Sequence, residues 1–532
     1  MVKVKPEEIW QEYQKAVSYN QRIGLYEQVK QNENFYIGKQ WEGLNAPDLN
    51  KPVINVLKRV VSYFISMIVS DDVGASFTPF RADGQAEMEA KILSEQVEEA
   101  LELADIKAKS REVIRDAAVD GDGCLYFYFD PEAESGQEAK GRIFAEVVPN
   151  TNLHFGNPYS DDLQGQPYVL ISLRKTVESV QREAEEQGGE PREIRPDSDS
   201  NQYDVAGMGQ DGLVTVVVKF WKEGGTVRAV KATSSAIVRP AWDTGYKLYP
   251  AAVMRWDKVK NSYHGQAAIS AMIPNQISIN QLFAMGIHSV KSNAFPKIIY
   301  DRTKLSAWSN KVGQAIGVVG NPNDAVVSGY RGPDMSGQVM DLIDRLIQKT
   351  LEFMGASDAA LGNVTPNNTS AIIATQKASS MPLELQKLEF YRFTEEYIRV
   401  LMDMIRADYG LREVAIEENG NTVIQAFDLG SLEQANLKLK VDIGSAAYWS
   451  EVMQMQTLDN MFARGIIPDA ITYIEGIPDQ YIRGKGKILD KLKEREQQLQ
   501  MMQQVQGGAP EQMPAQAPMQ MQGGGVQQYG AI

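Results

Sequence analysis

The chain is poor in the residues that most site chemistries need. Its 532 residues include one cysteine, Cys124, and three histidines, His154, His264 and His288. A single thiol closes no intramolecular disulfide and supplies no thiolate pair for zinc, so a disulfide framework and a cysteine zinc site are both excluded. Cys124 sits in the apolar run CLYFYF and reads as a small buried hydrophobe. Three histidines spread this widely argue against a histidine-rich metal site. Basic charge is short as well: 54 Lys and Arg stand against 69 Asp and Glu, a formal net charge of −15. A tight, sequence-reading DNA binder carries a basic excess, so the chain as a whole is not one, although an acidic wall can surround DNA without holding it. Long apolar runs are missing. The nearest, VINVLKRVVSYFISMIVS from Val53 to Ser70, is interrupted by Lys58 and Arg59 and spaces its apolar residues as an amphipathic helix does. MVKVKPEEIWQEYQ at the start has no apolar signal-peptide core. The chemistry reads as cytosolic, and no membrane partner is expected.

Catalytic motifs are equally scarce. A G-x-G-x-x-G occurs at Gly207, Gly209 and Gly212, but it follows a polar loop and opens a strand, whereas a dinucleotide site needs it between a strand and a helix. Asp120-Gly121-Asp122-Gly123 suggests a calcium turn; without further alternate oxygen ligands and a distal Glu it reads as a helix-ending turn before a strand. Arg483-Gly484-Lys485-Gly486-Lys487 lacks the spacing and the Ser or Thr of a phosphate loop and reads as a helix link. Glu98-Glu99 and Glu395-Glu396 fall on periodic helices, as solvated faces. Asp71-Asp72 ends a helix. No H-E-x-x-H or G-x-S-x-G is present. The expectation is a chain with no enzymatic activity, cofactor or metal of its own.

Hydrophobic residues make up 43% of the chain, enough for a substantial core. The periodicity predicts helices from Pro6 to about Asn34, over about Val56–Ser70 and over about Gln85–Asp120. CLYFYFD, RIFAEVVP and YVLISLRKT read as strands, followed by a helix over about Val177–Gln187. A polar excursion at 188–212 follows, and then a hairpin turning at Glu223-Gly224-Gly225. From Gln266 a long helical stretch carries Lys291 as its only Lys or Arg. Residues 295–336 form a Gly- and Pro-punctuated β segment with the runs KIIY, AIGVV and AVVSGY. The apolar stripe of Val339, Leu342, Ile343, Leu346, Ile347 and Leu351 predicts a second helix. A polar loop, SDAALGNVTPNNTS, leads into a helix over about Ala371–Tyr409 that Pro382 should kink. Strands return near EVAIEE, NTVIQAF and NLKLKVDIG, and helices close the ordered part by about Gln500. Residues 501–532 are rich in Gln, Met, Gly and Pro and are expected to be a disordered tail. The expected fold class is α+β, mainly α.

This order of elements resembles the portal, or head-to-tail connector, proteins of tailed bacteriophages, most nearly the large portals of short-tailed phages. The likeness runs over roughly residues 20–500. It rests on FYIGKQWEGLNAPDLNKPVINVLKRVVSYFISMIV, AAVDGDGCLYFYFDP, EVVPNTNLHFGNPYSDDL and YHGQAAISAMIPNQISINQ, taken in that order and spacing. The resemblance implies a wing over 1–265, a first stem helix over 266–294, a clip over 295–336 and a second stem helix over 337–356. It further implies a tunnel loop over 357–370, a kinked wing helix with returning strands over 371–446, and a helical crown over 447–500. The tunnel loop would offer Asn363, Thr365, Asn367, Asn368 and Thr369 to the DNA as weak, exchangeable hydrogen-bonding groups. Lys291, Lys297 and Arg302 are the basic candidates at the stem–clip junction. Thr369-Ser370-Ala371 departs from the Ser-Gly-x-Ala pattern of many relatives, and the tail is too polar for the helical barrel that some extend into the capsid.

The implied role is a twelve-subunit ring at one capsid vertex, made in the host cytoplasm and resident in the virion. Its implied partners are further copies of itself, the terminase large subunit, the head-to-tail adaptor, the major capsid and scaffolding proteins, and double-stranded DNA passing without sequence specificity. Two other readings stay open on sequence: another virion component, such as an adaptor or minor capsid protein, or a metal-dependent DNA-processing hydrolase built on Asp71, Asp72, Asp120 and Asp122.

Overall fold

A computed structural model of the protein describes residues 4–47, 49–69, 73–79, 84–197, 212–294, 297–305, 307, 315–324, 326–330, 337–356, 381–418, 421–434, 437–443 and discontinuous stretches between 455 and 495. The chain divides into two compact units, 1–445 and 446–532.

In the first unit, one expected N-terminal helix is two: α1 (Pro6–Arg22) and α2 (Leu25–Ile37). The break falls at Gly24, whose φ of 72° is left-handed and open to glycine without strain. α3 (Val56–Ile68) starts where Asn55 Oδ1 accepts the Lys58 backbone N–H at 2.9 Å. β1 (Val73–Pro79) follows. The expected single helix over 85–120 is also two, α4 (Gly84–Leu103) and α5 (Ile106–Asp120), parted at Asp105 with φ 52°. Periodicity carries across both breaks because a two-residue turn barely disturbs the apolar count.

β2 (Asp122–Asp130), β3 (Arg142–Pro149), β4 (Leu153–Phe155) and β5 (Tyr168–Thr176) precede α6 (Val177–Gln187). The polar excursion after α6 is less open than its composition suggests. Ile194 is buried against α6 and β8, and Asp197 binds the Arg174 guanidinium and the Thr215 backbone; 198–211 lie outside the described residues. β6 (Leu213–Glu223) and β7 (Thr226–Ala232) form the expected hairpin. Gly224 and Gly225, at φ 67° and 94°, make the two-residue turn whose twist suits antiparallel strands.

β8 (Ile237–Asp243), β9 (Ala251–Arg255), β10 (Asp257–Lys258) and β11 (Gly265–Gln266) lead to α7 (Ile273–Ala294). The long helix expected from 266 therefore starts seven residues later, with Pro274 in its first turn, where a missing N–H costs nothing. β12 (Lys297–Tyr300) pairs antiparallel with β13 (Val326–Tyr330), and α8 (Gly337–Phe353) returns. Of the three runs expected as strands here, KIIY and VVSGY pair, whereas 315–319, AIGVV, form no strand. α9 (Glu384–Asp408) carries the described part of the helix expected over 371–409. Pro382 sits in a 3₁₀ turn ahead of it, so the described helix begins after the proline and is not kinked by it. β14 (Leu411–Glu418), β15 (Asn421–Asp428) and β16 (Leu437–Ile443) complete the unit.

The protein is a mixed α and β fold whose described strands all pair antiparallel. One sheet runs β3-β2-β9, another β4-β5-β6-β7-β8, and β1 pairs with β16 across most of the chain. The core gathers α3, α4, α5, α9 and the three-stranded sheet. Leu57, Val60 and Val61 of α3, Val113 and Ile114 of α5, Phe127 of β2, and Phe390 and Phe393 of α9 are all buried in one cluster. Each such side chain contributes roughly 1.5–3 kcal/mol. Cys124 lies inside this cluster, as expected. Among the described residues no helix is long and apolar enough to cross a membrane.

In the second unit, α10 (Ala470–Glu475) is capped by Asp469, whose carboxylate accepts the Thr472 N–H at 2.6 Å. Phe462 packs on Tyr473 with ring centroids 4.6 Å apart. The Lys485 ammonium donates to the Ile477 carbonyl at 2.6 Å. Residues 501–532, the expected tail, lie outside the described residues.

Candidate assembly surface

α7, the β12–β13 pair and α8 form one excursion: a helix leaves the core, a small sheet caps it, and a second helix returns beside the first. Its base is fixed by uncharged polar groups. Gln276, fully buried, accepts the Val56 N–H at 3.0 Å and donates to the Ile54 carbonyl at 2.7 Å. Asn280 donates to Gln40 at 2.5 Å, and Asn275 reaches Thr350 of α8 at 3.3 Å. Part of the charge-free character of α7 thus has an internal cause. These amides replace the partners that the backbone at the entry to α3 would otherwise lack.

A second network holds the approach to α7. Asp122, at the head of β2, accepts from His264 Nδ1 at 3.0 Å, from Asn150 Nδ2 at 3.3 Å and from the Gly265 N–H at 3.3 Å. His264 Nε2 lies 3.2 Å from Asn20 Oδ1, so α1 joins the same group. Asn32 of α2 donates to Ser270 at 2.9 Å and to the Val119 carbonyl at 2.7 Å. Gly121 and Gly265 meet at the centre: a Cβ on Gly121 would stand 2.4 Å from the Gly265 oxygen. The Asp-Gly-Asp-Gly turn is therefore more than a helix end. Nothing local in the sequence shows this, because its partners come from residues 20, 150 and 264. His154 is fully buried nearby, and burial, with His264 adding repulsion, lowers its pKa from 6.5 to about 3.

Away from this base, large apolar side chains stand exposed among the charged ones of α8. Met285 and Val290 of α7 are 60% and 69% exposed, and Phe353 of α8 is 76% exposed. Met340 and Leu342 of α8 and Ile299 of β12 are exposed too. Ile343 and Leu351 are buried, so the expected α8 stripe splits: one side faces α3 and α7, and Leu342 faces outward.

The basic candidates lie in order along the junction. Lys291 closes α7, where its charge suits the helix C-terminus, and it donates to Asn50 Oδ1 at 2.9 Å. Lys297 opens β12, and Arg302 is exposed in the turn that follows. Asn363, Thr365, Asn367, Asn368 and Thr369 lie outside the described residues, as do Asp71 and Asp72. Asp120 is half-buried, and desolvation together with Asp116 holds its carboxyl well above the ordinary range. No group of three or more His, Cys, Asp or Glu side chains placed to hold a metal occurs among the described residues.

No known protein-family model matches this chain. No curated protein matches it either.

Proposed function

We propose that this chain is a phage portal protein: a ring-forming virion component at one capsid vertex, through which the genome is packaged and ejected. The observation that carries this reading is the excursion itself, two helices joined by a small sheet, with large apolar side chains turned outward on both helices. A soluble chain leaves such surface to water only at a cost, and each of these side chains would gain roughly 1.5–3 kcal/mol on burial. A closed ring buries two different faces of every copy, whereas a two-fold pair buries one self-complementary face.

In this reading α7 and α8 are the stem and the β12–β13 pair belongs to the clip. The clip is where the terminase large subunit docks during packaging and the head-to-tail adaptor afterwards. The wing, which carries the two larger sheets, faces the major capsid and scaffolding proteins. The ATP that drives translocation is hydrolysed by the motor, and the ring is its channel. A stem whose first helix carries one lysine and whose second sets Arg345 and Lys349 among Asp341, Asp344 and Glu352 neutralises few phosphates, and DNA affinity rises with each phosphate neutralised, so such a wall lets duplex DNA slide.

Negative-stain images of the concentrated protein test this. Annular particles with a stain-filled central hole support the reading. Compact particles without a hole, at concentrations where the protein self-associates, contradict it.

A further inference from the structure

A cleft of about 360 Å³ opens between the two larger sheets, remote in sequence from the stem. Its walls differ in charge. On the five-stranded sheet and α6 stand Lys175, Lys231, Arg239 and Glu183. On the facing strands β2 and β3 stand Asp130 and Glu146. Between them lie aromatic surfaces: Tyr126 and Tyr128 of β2, Phe220 of β6 and Trp242 of β8.

The cationic wall is overfilled. Lys231 and Arg239 are directly opposite one another on the β7–β8 ladder, a like-charge pairing that weakens a sheet. Lys175 adds to the repulsion at Lys231. One carboxylate, Glu183, pairs with Lys231. Among the described residues, Arg239 and Lys175 have no hydrogen-bonded or ion-paired partner. Instead the Arg239 guanidinium lies 3.8 Å from the Trp242 ring centroid. Stacked there, it is held flat with its N–H donors unspent. Arg239 is drawn to the same Glu183, so one carboxylate is shared between Lys231 and Arg239. An oxyanion arriving in the cleft satisfies all of these cations.

We propose that this cleft binds a nucleoside monophosphate. The phosphate takes the donors of Arg239 and Lys175, the base lies against the Tyr126, Tyr128 and Trp242 surfaces, and the hydroxyl or amine donors at the far end meet Asp130, which follows Tyr126 and Tyr128 at alternate positions of β2. The three chemistries occur in the order in which a nucleotide presents them, and the volume admits one such molecule. A bare inorganic anion would leave the aromatic wall and Asp130 unused. An uncharged nucleoside would leave the cations unpaired.

The test titrates the full-length protein with AMP, adenosine, inorganic phosphate and phenylalanine by calorimetry, and follows the melting temperature in parallel. AMP should bind at least ten-fold more tightly than adenosine or phosphate. Arg239→Gln and Lys175→Gln should each weaken AMP at least ten-fold, while both ligand-free variants keep the parent's cooperative melting transition. Failure of AMP to bind overturns the proposal. So does AMP binding that both variants retain, and so does phenylalanine binding more tightly than AMP, which would make the two-signed cleft a site for zwitterions.

Discussion

Asp122 and His264 are 142 residues apart in sequence and 3.0 Å apart in the fold, both buried, with the His264 Nδ1–H donating to the Asp122 carboxylate. This bond ties the head of a central strand to the segment that leads into α7. The whole excursion hangs on that junction.

Asp122→Ala removes the acceptor for three donors: His264, Asn150 and the Gly265 backbone. Leaving a buried polar group unsatisfied costs about 1–3 kcal/mol. The expected loss is therefore several kcal/mol in chemical denaturation, with Asp122→Asn intermediate because it still accepts from some of the donors. A loss as small as that of a surface substitution would contradict the role given to the network.

Gly121 should tolerate nothing larger. Its φ is 106°, and a Cβ there would meet the Gly265 carbonyl oxygen at 2.4 Å, a backbone atom that cannot rotate away. Gly121→Ala is expected to give insoluble or grossly destabilised protein. Gly224→Ala is the control. It shares a left-handed φ of 67° but has no atom within 4 Å of its would-be Cβ. It should cost only about 1–2 kcal/mol, the price of the backbone conformation itself.

Buried His154 and half-buried Asp408 shape the pH dependence in opposite senses. His154 stays neutral in the fold down to about pH 3, while in the unfolded chain it takes a proton near its ordinary 6.5. Its contribution is thus lost as pH falls from about 6.5 towards 3. Burial, opposed by the Tyr246 hydroxyl that donates to it at 2.5 Å, raises Asp408 from 3.8 to about 6. Its contribution is present below 3.8 and is lost as pH rises through 6. In urea titrations between pH 4 and 7, His154→Leu should flatten the acid-side loss, and Asp408→Asn should gain on the parent as pH rises. Parallel profiles for parent and variants would contradict both assignments.

Local patterns in the sequence carried much of the fold. The two-glycine hairpin turn, the α3 stripe and the return of helical periodicity at α8 all depend on residues within a few positions of each other. What failed to show depends on distance. Breaks at Gly24 and Asp105 leave the apolar rhythm intact, so periodicity runs through them. The β1–β16 pairing joins Val73 to Ile443, and no local signal encodes that register. The tie of Gln276 and Asn280 to the α3 entry does not show in the sequence, because their partners, Ile54, Val56 and Gln40, belong to a different segment. The same holds for Lys231 and Arg239, whose opposition exists only once β7 and β8 pair.

If the outward side chains of the stem are the contacts between copies, a charge there should act on assembly and spare the subunit. Met285→Glu and Val290→Glu place carboxylates at positions exposed in the single chain, where substitutions typically shift stability by no more than about 0.5 kcal/mol. The expected outcome is a folded protein with the parent's melting temperature that sediments as a monomer. Variants that assemble like the parent would remove the stem from the interface.

The most direct test of the central claim is the native mass of the purified, full-length protein. Twelve copies of a 59.2 kDa chain give a particle of about 710 kDa, and the account predicts a dominant species at or within one or two subunits of that mass. The Met285→Glu variant should fall to single chains. A parent protein that stays at 59.2 kDa at high concentration, with or without the stem substitutions, would contradict it.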